Sequence, residues 1–245
     1  MRLGYYSMID LIDDEVGRVI NHLEQTCQLK NTLVIFTSDH GDMLGDNKLL
    51  VKGAFFYDPC VKVPLLVHWP ENLNKGQKIS TPVQNFDLAA TILQAAGFDK
   101  KTCNELMPDS QNLLEMGNGS DEPFRDYAIC RYRNTGIRSG NKYWDPEIHG
   151  TMIRTEKWKL CYYHSTNEGE LYNLENDPNE TVNLWGQPEH ESVTLYMLDQ
   201  LKSMVSKEEF IRPPRGGETL PAPNILLNNN RSQLRRNTDS ISAHA

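Results

Sequence analysis

Long hydrophobic runs are missing from this 245-residue sequence. No apolar stretch approaches the roughly 18 residues that a membrane-spanning helix needs, so we predict no membrane span. Basic residues are also scarce, since 25 Lys and Arg stand against 33 Asp and Glu, for a formal net charge of -8. Because binding to nucleic acid requires a positive surface that neutralises phosphates, the sequence predicts no nucleic-acid partner.

The sequence also shows neither closely paired cysteines nor a pattern that indicates a leader segment. The five cysteines lie far apart without a CxxC pair, which argues against a disulfide framework. The first twenty residues have no uninterrupted apolar core and no small-residue cleavage site, so they do not read as a signal peptide. The compartment stays open, because an export signal would lie upstream of Met1.

Helical spacing and apolar runs alternate in the first hundred residues and predict an α/β fold. Apolar residues recur with helical spacing from Ile9 to Leu23. Continuous apolar runs at 32–37 and 63–69 are typical of strands buried in a parallel sheet. Asp87 then caps a helix that ends near Gly97. This order is that of the closing portion of a doubly wound sheet covered by helices.

The second half of the chain differs in composition. Residues 99–124 are polar and broken by Pro and Gly, and we predict a linker there. Short strands followed by a helix predict a small α+β subdomain with an antiparallel sheet at 125–206. The tail, 207–245, has no apolar periodicity and is predicted to be disordered. The α/β domain then comprises 1–98.

The loop after the first predicted strand carries the residue types of a metal site. Asp39 and His40 follow the strand that ends at Phe36, and open α/β sheets bind ligands beyond the carboxyl ends of their strands. Carboxylate and imidazole are donors for a divalent cation, and Gly41 permits a close backbone approach. A bare Asp-His pair is more often a turn cap beside a surface histidine. The preceding strand and the Gly-rich loop favour the metal site here.

Several ordered motifs resemble those of the sulfatase family, within the alkaline-phosphatase superfamily. They are Ser38-Asp-His-Gly-Asp-Met-Leu-Gly45, Lys52-Gly53, Val63-Pro64 and the segments 152–160, 169–174 and 177–180. The resemblance covers nearly everything except the tail and is of the choline-sulfatase or iduronate-sulfatase type. It implies the C-terminal part of an alkaline-phosphatase-like doubly wound sheet, followed by the small α+β subdomain.

The resemblance also implies roles for individual residues. Asp39 and His40 match positions that ligate a calcium ion in the family, although His40 leaves magnesium, manganese or zinc open. Lys52 matches a lysine that binds the sulfate, and it is the predicted catalytic and substrate-binding residue. An ammonium near a sulfuryl oxygen offsets charge on the leaving group. His149, in a loop rich in Gly and Asn, is a further candidate for substrate contact, although such histidines commonly face solvent.

The nucleophile of the family is not found in this sequence. Family sulfatases convert a Cys or Ser in the pattern Cys/Ser-x-Pro/Ala-x-Arg to formylglycine, and none of the five cysteines lies in that pattern. No second acidic pair resembles the early metal ligands of the family. We therefore expect a fragment that is inactive alone, with the missing N-terminal half of the catalytic domain as its partner.

The function predicted from the resemblance is hydrolysis of a sulfuric ester, in a sulfated small molecule or a sulfated saccharide. A phosphonate or phosphate ester hydrolase of the same superfamily is an alternative, because a cation and a lysine also serve a phosphoryl group. A non-catalytic remnant acting as an interaction module is the third possibility. Family members are often periplasmic, secreted or lysosomal, and the sequence does not choose among these compartments.

Overall fold

The computed structural model describes residues 1–120, 124–133 and 148–208, with side chains up to residue 204. Met1–Leu198 form one compact unit, and the second unit, Asp199–Ala245, is described as far as the end of the last helix. Residues 207 and 208 belong to that helix. The rest of the predicted disordered tail lies outside the described residues.

The first helix, α1 (Arg2–Gln25), extends beyond the predicted apolar spacing and is exposed along its length. None of its residues is buried, and Leu3, Leu11 and Val19 are among its exposed apolar side chains. Nothing in the described part of the chain covers them. Although α1 has 24 residues, no described helix is long and apolar enough to cross a membrane.

Two short strands, β1 (Val34–Thr37) and β2 (Leu65–His68), lie within the predicted apolar runs and pair with each other. Their pairing is antiparallel, with Phe36 opposite Leu66, so the parallel arrangement predicted for these runs is wrong for this pair. An apolar run indicates burial but does not encode the direction of the neighbouring strand. Phe36 and Leu66 are exposed, which leaves apolar surface on the pair. A single turn, α2 (Asp58–Val61), precedes β2.

The next helix, α3 (Asp87–Ala95), begins at the predicted residue, but Asp87 is its first residue and not its cap. The Asp87 carboxylate accepts hydrogen bonds from the backbone N–H of Gln84 at 2.7 Å and of Gln111 at 2.8 Å, and it pairs with Arg125. These donors replace the water that the fully buried carboxylate loses. Asp87 therefore ties the start of α3 to the segment that follows.

The predicted linker, 99–124, contains two helices. The first, α4 (Lys100–Leu106), is capped by Asp99, whose carboxylate accepts from the N–H of Thr102 at 2.9 Å. The second, α5 (Leu113–Gly117), contributes the buried side chains of Leu113, Leu114 and Met116. These two helices were not predicted, because helices of 7 and 5 residues are too short to show an apolar period. The domain boundary placed there stays a prediction.

Four antiparallel strands form the second sheet, in the order β3-β4-β5-β6. They are β3 (Ala128–Arg133), β4 (His149–Arg154), β5 (Trp158–Tyr163) and β6 (Glu168–Asn173). A last helix, α6 (Glu191–Glu208), follows them. All four strands lie within the segment 125–206, where short strands followed by a helix were predicted, so the antiparallel sheet with a following helix is confirmed. Its buried side chains include Ile153, Leu160, Leu171 and Met197.

Candidate functional site

Asp39 and His40 lie in the loop that leaves β1. One oxygen of the Asp39 carboxylate accepts a hydrogen bond from the N–H of His40 at 2.9 Å, and the other lies 3.3 Å from His40 Nε2. The bond from the His40 N–H holds the pKa of Asp39 below its usual value, so this carboxylate is ionised at neutral pH. Asp39 is largely exposed and His40 is partly exposed. Two metal-type donors therefore lie side by side at the surface.

Lys52 comes 12 residues after His40 in the chain and lies beside it in space. Its Nζ is 2.6 Å from Nε2 of His40, and its backbone N–H donates to a carboxylate oxygen of Asp42 at 2.8 Å. An ammonium can only donate, so Nε2 of His40 accepts in this contact. The structure thus brings Asp39, His40 and Lys52 together. Their roles as metal ligands and sulfate contact stay predictions.

Gly41 packs against the backbone of α2. Its N–H donates to the carbonyl oxygen of Cys60 at 2.8 Å, and a Cβ at this position would lie 2.0 Å from the carbonyl oxygen of Pro59. Only glycine fits so close to another main chain. The close backbone approach at Gly41 is to α2, and an approach of this backbone to a cation stays a prediction. This helix therefore positions the residue next to His40.

The rest of the loop is held from two sides. The N–H of Leu44 donates to the carbonyl oxygen of Leu50 at 3.0 Å, and Gly45 has a φ of 103°, which favours glycine. Arg2 of α1 donates to the carbonyl oxygen of Leu44 at 2.8 Å and to the carboxylate of Asp46 at 2.6 Å. The loop therefore has fixed backbone partners within itself and a side-chain partner on α1.

Asp42 and Asn85 support the site but were not predicted to do so. Asp42 orients the backbone of Lys52, and the side-chain amide of Asn85 donates to the carbonyl oxygen of Ser38 at 3.0 Å, next to Asp39. Asp42 lies within the motif that predicted the metal site, so a signal for it was present. Asn85 lies in the loop before α3, where no sequence pattern distinguishes it from other loop amides.

Asp39 and His40 fit a divalent cation as part of a donor set. Calcium takes about six to eight ligands, nearly all oxygen. Within the described ranges, no group of three or more His, Cys, Asp or Glu side chains is placed to hold a metal. One carboxylate and one imidazole have the right chemistry but are too few. A cation here therefore needs further ligands besides these two side chains.

His149 is the first residue of β4, so the loop position predicted for it is wrong, and its described contacts are with the four-stranded sheet. Its ring lies 4.4 Å from the ring of His164, and Arg133 approaches its Nε2 at 3.4 Å. The next residue, Gly150, packs against Phe56, which lies four residues after Lys52. This end of β4 is therefore near the segment that carries Lys52. A substrate contact by His149 stays a prediction.

Cys60 is the cysteine that lies against the loop, and it has the character of a packing residue. Its thiol is buried and donates to the carbonyl oxygen of Gly41 at 3.7 Å. Burial raises the pKa of the Cys60 thiol, so the reactive thiolate is scarce at neutral pH. All five cysteines are free, and no disulfide framework was predicted for them.

Comparison with known proteins shows to which protein family the chain belongs. The family model for the C-terminal region of N-sulphoglucosamine sulphohydrolase matches residues 48–207. The chain belongs to the sulfatase family. In this sulfatase chain, Lys52, α2 and the four-stranded sheet lie within the matched region, whereas Asp39 and His40 precede it.

Two curated relatives and one solved structure show how much of a sulfatase is covered. The uncharacterized sulfatase YidJ of Escherichia coli is 34% identical over 86% of this chain and 38% of its own length. The choline-sulfatase of Rhizobium meliloti is 34% identical over 76% and 33%, respectively. The phosphonate monoester hydrolase of Agrobacterium radiobacter is 26% identical with a TM-score of 0.72, over 83% and 40%. The predicted fold class is confirmed, and the sulfatase chain spans at most about two-fifths of these relatives.

Proposed function

We propose that this chain contributes to the hydrolysis of sulfate esters. The observation that carries the proposal is the contact of 2.6 Å between Lys52 Nζ and His40 Nε2, beside the ionised carboxylate of Asp39. A sulfate ester develops negative charge on oxygen as its S–O bond breaks, and an ammonium next to a cation site stabilises that charge. Membership of the sulfatase family supports this reaction.

The proposed cofactor is a divalent cation, with Ca²⁺ preferred. Asp39 contributes a carboxylate that the N–H of His40 keeps ionised, and His40 would contribute Nε2, exchanging its contact with Lys52 for the cation. When bound, the cation supplies Lewis-acid polarisation of a sulfuryl oxygen. Lys52 contacts the sulfate. The formylglycine nucleophile and the other metal ligands are proposed to come from a segment outside this sequence.

The proposed partner is the N-terminal half of the catalytic domain, in the same polypeptide or in a separate one. The exposed apolar side chains of α1 and the pair Phe36 and Leu66 support it, because large uncovered apolar patches mark interaction surfaces. The relatives extend well beyond the part that this chain matches, which leaves ample length for such a half.

The proposed substrate is a sulfated saccharide or a sulfated small molecule. The matching family model is named after N-sulphoglucosamine, a sulfated sugar, and one relative is a choline-sulfatase. His149 and the neighbouring Arg133 are proposed to border the substrate, since a basic pair suits an anionic group.

The test compares two proteins on an aryl sulfate. We expect no turnover by the purified 245-residue chain, because it lacks a nucleophile. Co-expression with the segment encoded upstream of Met1 is expected to give turnover, with Cys/Ser-x-Pro/Ala-x-Arg in that segment. Turnover by the chain alone would contradict the incomplete site. An upstream segment without the motif, together with a folded but inactive complex, would favour the interaction module instead.

A phosphonate or phosphate ester hydrolase is the second candidate function. The similarity to a phosphonate monoester hydrolase, at a TM-score of 0.72, favours it. A Thr or an unmodified Ser at the nucleophile position would favour this function, whereas a Cys or Ser in the formylglycine pattern would favour sulfate hydrolysis. The two functions are distinguished by assaying the same co-expressed protein on an aryl phosphonate and on the aryl sulfate. The substrate that reacts faster indicates the function.

A further inference from the structure

Lys159 of β5 is completely buried, although it carries a charge. Its ammonium donates to the carbonyl oxygen of Phe56 at 3.0 Å and to a carboxylate oxygen of Glu180 at 2.5 Å, and it also pairs with Asp58. An ammonium has three protons, so these partners use its whole donor capacity. A buried charge is tolerated only when it is paired and hydrogen-bonded in this way. Lys159, Asp58 and Glu180 therefore form an ion network in which the ammonium is fully hydrogen-bonded.

Asp58 joins this ion network to α2, of which it is the first residue. Its carboxylate accepts from Nη2 of Arg154 at 3.2 Å and from Nε at 3.3 Å, in addition to its bond with Lys159. Its own N–H donates to a carboxylate oxygen of Glu180 at 2.6 Å. The side chain and the backbone at the start of α2 are thus both held by residues that belong to the sheet or follow it.

The ion network contains two carboxylates and two cations that hydrogen-bond to them, and the exposed Lys62 lies 3.8 Å from Asp58 as a further cation. Burial acts to raise the pKa of Asp58, but Lys159 and Arg154 outweigh it and hold this pKa below its usual value. Burial raises the pKa of Glu180, and Lys159 offsets only part of the effect. Removing Lys159 leaves two neighbouring carboxylates with Arg154 and the exposed Lys62 as their cations, which changes the position at which Asp58 is most stable.

The geometry of α2 is transmitted directly to the loop that carries the candidate site. This helix has only 4 residues, so its position depends on its external contacts. Its Cys60 carbonyl accepts from the N–H of Gly41 at 2.8 Å, and its Pro59 carbonyl lies against Gly41. Phe56, which bonds to Lys159 through its carbonyl, belongs to the same segment as Lys52. A shift at Asp58 therefore moves the carbonyl groups of Pro59 and Cys60, which contact Gly41 in the loop of the candidate site.

We propose that Lys159 is a positioning residue for the site formed by Asp39, His40 and Lys52. It touches none of the reacting groups and acts through Asp58 and α2. The importance of this role rests on the proposed function, because the loop that is positioned is the candidate metal site. The physical linkage itself does not depend on which ester is hydrolysed.

The test measures amide hydrogen exchange by NMR in the 245-residue chain. Lys159→Met keeps the length of the side chain and removes its charge. The matched control is Lys157→Met, two residues away, whose partner Glu175 is an exposed carboxylate at 2.7 Å. We expect the Gly41 amide to exchange about tenfold faster in the Lys159 variant, relative to the amides of β4 and β5, and to change less than about twofold in the control.

Two results would overturn the proposal. Equal acceleration at Gly41 and in β4 and β5 would show that Lys159 only stabilises the fold. An unchanged Gly41 amide in a folded Lys159 variant would show that α2 keeps its place without the ammonium. The ring signals of His40 provide an independent spectroscopic readout, and they are expected to shift in the Lys159 variant but not in the control.

A second variant and its control, both with smaller chemical changes, are used if Lys159→Met does not fold. Glu180→Gln keeps the shape of the side chain and weakens the bonds to Lys159 and to the N–H of Asp58, while Glu175→Gln is its exposed control. We expect Gly41 exchange to rise about threefold in the first variant alone. Exchange is read without metal or substrate, so failure of sulfate hydrolysis leaves this result intact, and an unresponsive Gly41 leaves the proposed reaction intact.

Discussion

Lys52 and Lys159 are both hydrogen-bonded lysines, but their surroundings differ. Lys52 is exposed beside His40, and Lys159 is enclosed by Asp58, Glu180 and a carbonyl group. An exposed ammonium on a flexible stem can reach a bound anion, whereas one with all three protons engaged is committed to the protein. Substitution at these two positions is therefore expected to affect different properties.

Replacement of Lys52 tests its predicted contact with the sulfate. We expect Lys52→Ala to lower kcat/KM for an aryl sulfate by about a hundredfold or more in the co-expressed sulfatase, because one stabilising donor of the transition state is lost. Lys48→Ala, which changes an exposed lysine of the same loop, is expected to retain activity within about threefold. Equal losses in the two variants would contradict a specific role for Lys52.

Glu170 of β6 provides a prediction about pH and stability. Burial raises the pKa of its carboxyl group above the ordinary value of 4.5, although Tyr172 and Tyr163 act in the opposite direction. A raised folded-state pKa means that the protonated form suits the fold, so its stability is lost as pH rises from about 4.5 through that pKa. Glu170→Gln should remove this loss and increase the free energy of unfolding near pH 8.

Urea unfolding at several pH values measures the effect, with Glu168→Gln as the control. Glu168 lies on the same strand and is exposed, so its substitution is expected to change the free energy of unfolding by less than about 0.5 kcal/mol. A Glu170 variant with the same pH dependence as the unaltered chain would show that the buried carboxylate does not produce the predicted loss.

At the scale of the elements, Gly41 tests the contact between α2 and the loop. Gly41→Ala places a Cβ at 2.0 Å from the backbone oxygen of Pro59, which cannot rotate away. We expect a loss of about 1–3 kcal/mol in the free energy of unfolding, as for other overpacked sites. Gly17→Ala on α1 meets no atom within 4 Å and should be neutral or stabilising by up to about 1 kcal/mol. Similar losses in both variants would contradict the close packing.

The sequence predicts elements well where a period or an apolar run is long enough to read. The helix from Ile9, the runs that contain β1 and β2 and the strands β3 to β6 were all found in this way. The antiparallel pairing of β1 with β2 was missed because strand direction depends on neighbours far along the chain. The helices α4 and α5 were missed because their 7 and 5 residues show no apolar period.

The candidate site was predicted only in part, namely where its residues belong to recognisable local motifs. Asp39, His40 and Lys52 belong to short motifs with fixed spacing, and the structure brings them together. The ion network around Lys159 was missed because a lysine in a strand is normally expected at the surface. Its alternation with Cys161 and Tyr163 places it on one face of β5, which was the available sign.

For the whole molecule, the exposed apolar side chains of α1 predict behaviour in solution. We expect the 245-residue chain alone to self-associate at about 50 μM, because apolar patches without a partner associate. The variant with Leu11→Lys and Ile12→Lys should be more monomeric in sedimentation velocity. Asn21→Lys adds charge at a polar, exposed position of the same helix and should leave association unchanged. A monomeric unaltered chain would contradict the need for a partner at α1.

The ion network around Lys159 also has a consequence for synthesis. Asp58 is separated in sequence from Lys159 by 101 positions and from Glu180 by 122. Contacts between residues so far apart in sequence form only after the later residue has left the ribosome. The ribosome adds about 5–20 residues per second. The loop with Asp39 and His40 is therefore synthesised roughly 7–28 seconds before Glu180. A nascent chain interrupted in that interval has Asp39 and His40 without the ion network that holds α2 against their loop.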